Sequence, residues 1–219
     1  MKLKNKRHLK SLFLTAVIFL IGLLLISFVN QYKFSLIETK IKTSGDLITT
    51  AMFELSLLDL IESNLSCTHM LETSKNALNE LEILSSMLNS YEFQKTQKYI
   101  YKEEEYITDL IKNWILHEKL KKTCNLNYTT VLFFYNKTCD ECSWQGFYLG
   151  YFKEKNKDNL MIFAVPTDRN TKIVEFLFLE YNISSVPSVI INRDKSIEGY
   201  LDKEEQRTLL CSYNNFTFC

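Results

Sequence analysis

Residues 11–29, SLFLTAVIFLIGLLLISFV, contain no charged side chain, and as a helix they measure about 28 Å, close to the thickness of a bilayer's hydrocarbon core. The stretch reads as a transmembrane helix. A cleavable signal peptide is the rival reading, but the run exceeds the usual apolar region of a leader, and the exit SFVNQYKF offers no small-x-small cleavage site. Lys2, Lys4, Lys6, Arg7 and Lys10 precede it with no acid among them. By the positive-inside rule this tail, residues 1–10, is expected in the cytoplasm and everything after residue 30 outside it. Lys33, Lys40 and Lys42, just beyond the span, narrow that margin.

Cysteine usage gains meaning from this topology. All six cysteines, Cys67, Cys124, Cys139, Cys142, Cys211 and Cys219, follow the span, on the side where disulfides persist, and an even number is compatible with complete pairing. Only three histidines are present, one of them His8 in the basic tail, so no metal site and no cofactor is expected. Lys plus Arg and Asp plus Glu balance at 26 each, which gives no support to a nucleic-acid partner.

Between residues 31 and 122 there is no proline, and Gly45 is the only glycine. Leu47, Ile48, Ala51, Met52, Leu55 and Leu58 repeat at spacings of three and four, as do Leu71, Leu78, Leu81, Leu84 and Leu88, and then Tyr99, Tyr106, Leu110, Trp114 and His117. These periods predict amphipathic helices over 46–63, 67–90 and 96–122. The expected breaks are Thr43-Ser44-Gly45-Asp46, Ser63-Asn64-Leu65-Ser66 and Asn89-Ser90. Segment 30–122 is thus expected to be a helical stalk or three-helix segment, its apolar stripes and His117 serving packing in preference to the alternative of a surface for dimerisation or partner capture. If the second and third helices form an antiparallel hairpin, Cys67 lies beside Cys124 and the two can pair. Cys211 and Cys219 would then clamp a C-terminal tail, 213–219. Four cysteines allow three connectivities, and this is one of them.

After residue 124 the texture changes. Thr130–Tyr135 and Leu160–Val165 read as buried strands, Ser188–Asn192 as a third and Ser196–Tyr200 as a fourth after a turn. Helices are expected over 139–155 and 171–181, and a last one to about Cys211 behind a capping box of Asp202 and Glu205. The order β-α-β-α-β-β-α predicts an α/β mixed sheet, with a right-handed parallel crossover and a closing antiparallel hairpin.

That order, with Cys139-Asp140-Glu141-Cys142 at the first strand-to-helix junction and a proline opening the third strand, resembles the thioredoxin superfamily over residues 123–212. YNISSVPSVIIN, residues 181–192, is similar to the segment carrying that family's cis-proline, here Pro187 preceded by Val186. IEGYLDKEE, residues 197–205, is similar to the passage from its last strand through a glycine, Gly199, into its last helix. Two features depart from the family. Thr138 and Asp140-Glu141 stand where thioredoxin itself has Trp and Gly-Pro, and Phe133 stands where it has a buried acid.

The resemblance implies thiol-disulfide exchange on protein substrates, which needs an attacking thiolate and a second thiol to resolve the mixed disulfide. Cys139, at a helix N-terminus where amides and dipole stabilise negative charge, would be the nucleophile, and Cys142, one turn in, the resolving thiol. Pro187 would complete the catalytic set, with the Val186 backbone pairing with an extended substrate. Asp140 and Glu141 disfavour a neighbouring thiolate, so reduction or isomerisation is expected rather than strong oxidation. A zinc site would want a second such pair, and a purely structural bridge would close too short a loop to stabilise much. The competing reading is a redox-inactive scaffold or partner-binding module on the same fold. No second span or flavin motif is visible, so a separate redox partner must recycle the pair. Asn64, Asn127, Asn136, Asn182 and Asn215 each open an N-x-S/T sequon, a weak sign of glycosylation.

Overall fold

Ten elements follow one another along the chain: α1 (Lys2–Ile61), α2 (Cys67–Asn89), α3 (Gln97–Thr123), β1 (Thr129–Tyr135), α4 (Asp140–Lys155), β2 (Leu160–Pro166), α5 (Lys172–Glu180), β3 (Ser188–Ile191), β4 (Ser196–Glu198) and α6 (Lys203–Cys211). The structure, a computed structural model, describes residues 2–61, 67–89, 97–169, 171–194 and 196–219. The expected breaks at 63–66 and at Ser90, and the sequon residue Asn64, lie outside them. The chain divides into two compact units, one ending at Lys40 and one running from Ile41 to Cys219.

In the first unit α1 carries the apolar run with its side chains outward, Leu12, Phe13, Phe19, Leu24 and Phe28 being among the exposed ones. Among the described residues this is the one helix long and apolar enough to cross a membrane, and its most apolar window has a mean hydropathy of 2.9 with none of it buried.

The second unit corrects the sequence reading at Thr43-Ser44-Gly45-Asp46, where α1 continues without a break. A lone glycine costs a helix only about 1 kcal/mol relative to alanine. Here burial opposes that cost, because Ile41, Ser44, Ile48, Ala51 and Leu55 form one buried stripe through the segment. Gly45 has a packing role: a Cβ there would sit 3.1 Å from Asp109 Oδ2 on α3. α2 buries Met70, Ala77, Leu78, Leu81, Leu84 and Leu88 against α3. Ala51, Leu55, Met70, Leu116 and Leu120 make a small core of their own, and beside it a disulfide joins Cys67 to Cys124.

α3 is not the one-sided helix its apolar stripe suggests. It lies between α2 and the β1–β2 part of the sheet, so Glu103, Asp109, Asn113, His117 and Glu118 are buried along with Tyr106, Leu110 and Trp114. The polar ones find partners: Glu118 accepts from the Thr130 hydroxyl, and the Asn113 amide donates to Ser74 O at 3.2 Å.

The sheet has the order β2-β1-β3-β4. β1 runs parallel to β2 and antiparallel to β3, and β3 runs antiparallel to β4. β1 is central and continuously buried, as its unbroken run TTVLFFY requires. On one face Val131, Phe133, Val189 and Ile191 pack with Leu149 and Phe152 of α4 and Leu210 of α6. On the other, Phe134 meets Phe178 of α5 at 5.1 Å between ring centroids, and Phe163 meets His117 of α3 at 5.4 Å.

Residues 213–219, expected as a clamped C-terminal tail, pack against the α4–α6 core. Phe216 belongs to the α4–α6 core, Phe218 lies 4.6 Å from Phe152 between centroids, and Arg207 Nε donates to Phe218 O at 2.7 Å. A disulfide between Cys211 and Cys219 closes the segment on α6. The capping box of Asp202 and Glu205 is present at the start of that helix.

Candidate functional site

β1 ends at Tyr135, and the three residues Asn136-Lys137-Thr138 turn the chain into α4. Asn136 Oδ1 accepts from the Thr138 amide at 2.8 Å and its hydroxyl at 2.7 Å, closing the turn on itself. The Lys137 amide donates to both carboxylate oxygens of Asp168 at 3.2 Å. Cys139 follows as the N-cap of α4, in extended backbone with φ −92° and ψ 112°. Its sulfur accepts the Cys142 amide at 3.0 Å, so one of the orphan donors of the first helical turn points at that atom.

The pair is joined by a disulfide with Cα atoms 5.2 Å apart. Cys139 is half-buried, whereas Cys142 is 2% exposed among Val131, Phe133 and Leu149. Phe133 thus makes the floor beneath Cys142 apolar. Gly146 lets α4 seat on that ring, since a Cβ there would come within 3.3 Å of Phe133 Cε1. Asp140 and Glu141 stand exposed in the first turn of α4.

The Val186–Pro187 peptide bond is cis and leads into β3, whose first residue, Ser188, is paired with Phe134 near the end of β1. The antiparallel register therefore brings Pro187 to the end of the sheet from which β1 runs into Cys139. Pro187 O accepts the Gly199 amide at 2.8 Å. Gly199 has φ +92°, the left-handed region that a side chain disfavours. Glu198 Oε2 accepts from the amides and hydroxyls of both Ser184 and Ser185, at 2.8 to 3.0 Å. The Ser184 hydroxyl foremost, then the other donors, hold this carboxyl below its ordinary range.

A four-stranded mixed sheet in this order, with a Cys-x-x-Cys pair capping the helix after its central strand and a cis-proline entering the adjacent strand, decides the fold. The part of the chain from β1 to α6 has a thioredoxin-like fold. Several solved structures share the likeness. Thioredoxin-2 of the malaria parasite, described as a component of its protein secretion machinery, is 20% identical, covering 39% of this chain and 84% of that one with a TM-score of 0.34. A thioredoxin-like protein from Clostridium perfringens is also 20% identical, over 40% of this chain and 72% of its own, with a TM-score of 0.35. Chloroplastic thioredoxin z is 17% identical, over 41% and 80%, with a TM-score of 0.35. No family model and no curated protein matches the sequence.

Around the Cys139–Cys142 pair lie residues that the sequence reading passed over. Glu103 of α3 holds Lys137 and Arg169, and Glu198 holds the loop before Pro187. Their partners are 34 and 66 residues away for Glu103, so no local pattern announces them. Behind the pair, a cavity of about 1080 Å³ opens between α2, α3 and α4, with Leu78, Tyr106, Leu110, Phe133 and Cys142 in its wall. His117 lies away from the pair. It is buried, with the Tyr128 hydroxyl donating to its carbonyl at 2.8 Å and lying 3.2 Å from its Nδ1. Burial lowers its pKa to about 4, so the ring is neutral and packs rather than titrates near pH 7.

Proposed function

We propose that the protein is a membrane-tethered thiol-disulfide oxidoreductase acting on protein disulfides through Cys139 and Cys142. The observation that carries this reading is Cys139 at the N-cap of α4, its sulfur receiving the Cys142 amide. A thiolate at that atom gains a donor already aimed at it and the favourable end of the helix dipole.

In the reducing direction the Cys139 thiolate attacks one sulfur of a substrate disulfide, forming a mixed disulfide and releasing the other substrate sulfur as a thiolate. Cys142 loses its proton and attacks the Cys139 sulfur. The mixed disulfide breaks, the second substrate thiol leaves, and the Cys139–Cys142 disulfide forms. Two electrons pass from the protein to the substrate, and a separate dithiol protein must return them. Val186, joined to Pro187 by a cis peptide bond, would align an extended substrate segment. Asp140 and Glu141, acids in the first turn, oppose the thiolate and favour reduction or isomerisation over strong oxidation.

The tether would be residues 11–29, with the basic N-terminus in the cytoplasm and the thioredoxin-like domain outside. Support comes from the outward apolar side chains of α1 and from disulfides that involve all six cysteines, as suits an oxidising compartment.

Reduction of insulin by the full chain in detergent tests the activity. Cys139→Ser is expected to abolish it, and Cys142→Ser to accumulate mixed disulfides with host proteins. Undiminished activity in Cys139→Ser would overturn the reading. Titration against glutathione tests the direction: a potential as high as that of strong disulfide oxidants would refute the reductase or isomerase assignment.

A further inference from the structure

The helical hairpin ahead of the thioredoxin-like domain places one buried acid against the loop that presents Cys139. Glu103 of α3 is 3% exposed. Its Oε1 accepts Lys137 Nζ at 2.5 Å and its Oε2 accepts Arg169 Nε at 3.1 Å. Lys137 stands two residues before Cys139, in the loop from β1 to α4. Arg169 stands in the loop from β2 to α5, next to Asp168, which accepts the Lys137 amide. One carboxylate therefore ties both loops at this end of the sheet to α3, and Tyr99 lies one turn earlier, its hydroxyl donating to Leu88 O at 3.1 Å. Burial first and the Glu103 charge second push the Tyr99 phenol up.

A carboxylate taken out of water between two cations is stable only while both remain, and Lys137 in turn loses this counter-charge if the acid goes. The cation nearest the cysteines in sequence is Lys137. While it is paired with Glu103 its charge does little for a thiolate at Cys139.

We propose that Glu103 is a positioning residue for the Cys139–Cys142 pair, anchoring the loop that leads into Cys139 and neutralising the Lys137 ammonium on α3. It acts through Lys137 and rests on the redox reading above. Among the described residues, the other charged or titratable groups around this end of the sheet include Glu82 of α2, Tyr99 and Tyr106 of α3, Tyr135 of β1, Asp140, Glu141 and Tyr148 of α4, Asp168 and Arg169 of the β2–α5 loop, and Tyr200 after β4. The first-turn acids disfavour a thiolate, and Glu103 cancels the cation that would offset them. The helical hairpin thereby sets the redox character of a domain to which it contributes no cysteine of the pair.

The sign of the coupling makes it testable in the full chain in detergent, with Cys142→Ser in the background so that Cys139 titrates alone. Thiolate absorbance against pH reads the thiol pKa, and the intact pair is equilibrated with glutathione in parallel. Glu103→Gln frees the Lys137 charge and is expected to lower the Cys139 pKa by about half a unit or more, shifting the glutathione equilibrium about threefold toward the dithiol. Lys137→Met leaves the acid under-compensated and is expected to move both readings the opposite way. The double variant should return close to the unmodified protein, and Glu103→Asp should shift less than Glu103→Gln. A tie that is only structural would lower the melting temperature of both single variants and move neither pKa, which would overturn the proposal. So would a shift of the same sign in both. Lys137→Met reads the coupling even if Glu103→Gln fails to fold. Absence of insulin reduction by the unmodified protein would instead count against the redox reading, because the thiol titration does not depend on substrate.

Discussion

His117 and Glu198 show how far a single side chain's surroundings can depart from what its neighbours in sequence suggest. His117 repeats with Tyr106, Leu110 and Trp114 on an apolar stripe, and burial holds its pKa down to about 4 in the fold. An unfolded histidine titrates near 6.5, so below that pH the unfolded chain binds a proton that the folded one refuses. Stability from this residue is therefore complete above about 6.5 and is lost as the pH falls toward 4. The loss is expected to reach on the order of 2 to 3 kcal/mol. Melting temperatures measured from pH 7 to 4 should fall less steeply in His117→Gln than in the unmodified protein. Glu198 acts on the backbone: its four bonds to Ser184 and Ser185 shape the approach to Val186-Pro187. Glu198→Ala is expected to speed hydrogen exchange of the Ser184 and Ser185 amides severalfold, since both lose the acceptor that holds them. Unchanged protection would mean that the loop holds its form without this acid.

α3 gains a second role at the level of elements, as both a helix of the hairpin and the layer that covers the β1–β2 side of the sheet. Its C-terminal end is fastened at several points. Cys124 is bridged to Cys67, Lys121 Nζ donates to Asn192 Oδ1 at 2.7 Å, and that same oxygen accepts the Thr130 amide at 3.0 Å. The Cys67–Cys124 bridge spans 57 residues, a loop long enough for the chain-entropy account to give about 4 kcal/mol at most. Replacing both cysteines by alanine should therefore lower the denaturant midpoint well beyond a typical surface change. A midpoint unchanged in that variant would show that the helix packing alone orders the hairpin. At the other end of the chain Phe216→Ala removes a core aromatic from beneath α4 and α6, and a loss of about 3 kcal/mol is expected in the same measurement.

Taken whole, the molecule pairs a long apolar helix with a compact unit that starts at Ile41, and a chain beginning there is expected to fold with an unchanged near-ultraviolet circular dichroism spectrum. The full chain, in contrast, should resist alkaline extraction from membranes, and recovery in the soluble fraction would refute the tether. The thioredoxin-like order of strands and helices was readable in sequence because buried strands such as TVLFFY and LMIFAV, caps such as Asp202, and Cys-x-x-Cys at a strand-to-helix junction are local signals. The apolar span was readable for the same reason, since length and the absence of charge suffice to recognise it. What no local pattern could show is how α3 packs. Burial on two sides made polar positions of α3 into partners of other segments, Glu103 for Lys137 and Arg169 in two loops and Glu118 for Thr130 in β1. The continuation of α1 through Gly45, and the inclusion of Phe216 and Phe218 in the core, likewise depended on surfaces supplied by residues far along the chain. Residue type and spacing determined the elements and placed the two cysteines. Tertiary packing alone decided which buried charges face one another near them, because that requires bringing together segments that the sequence keeps apart.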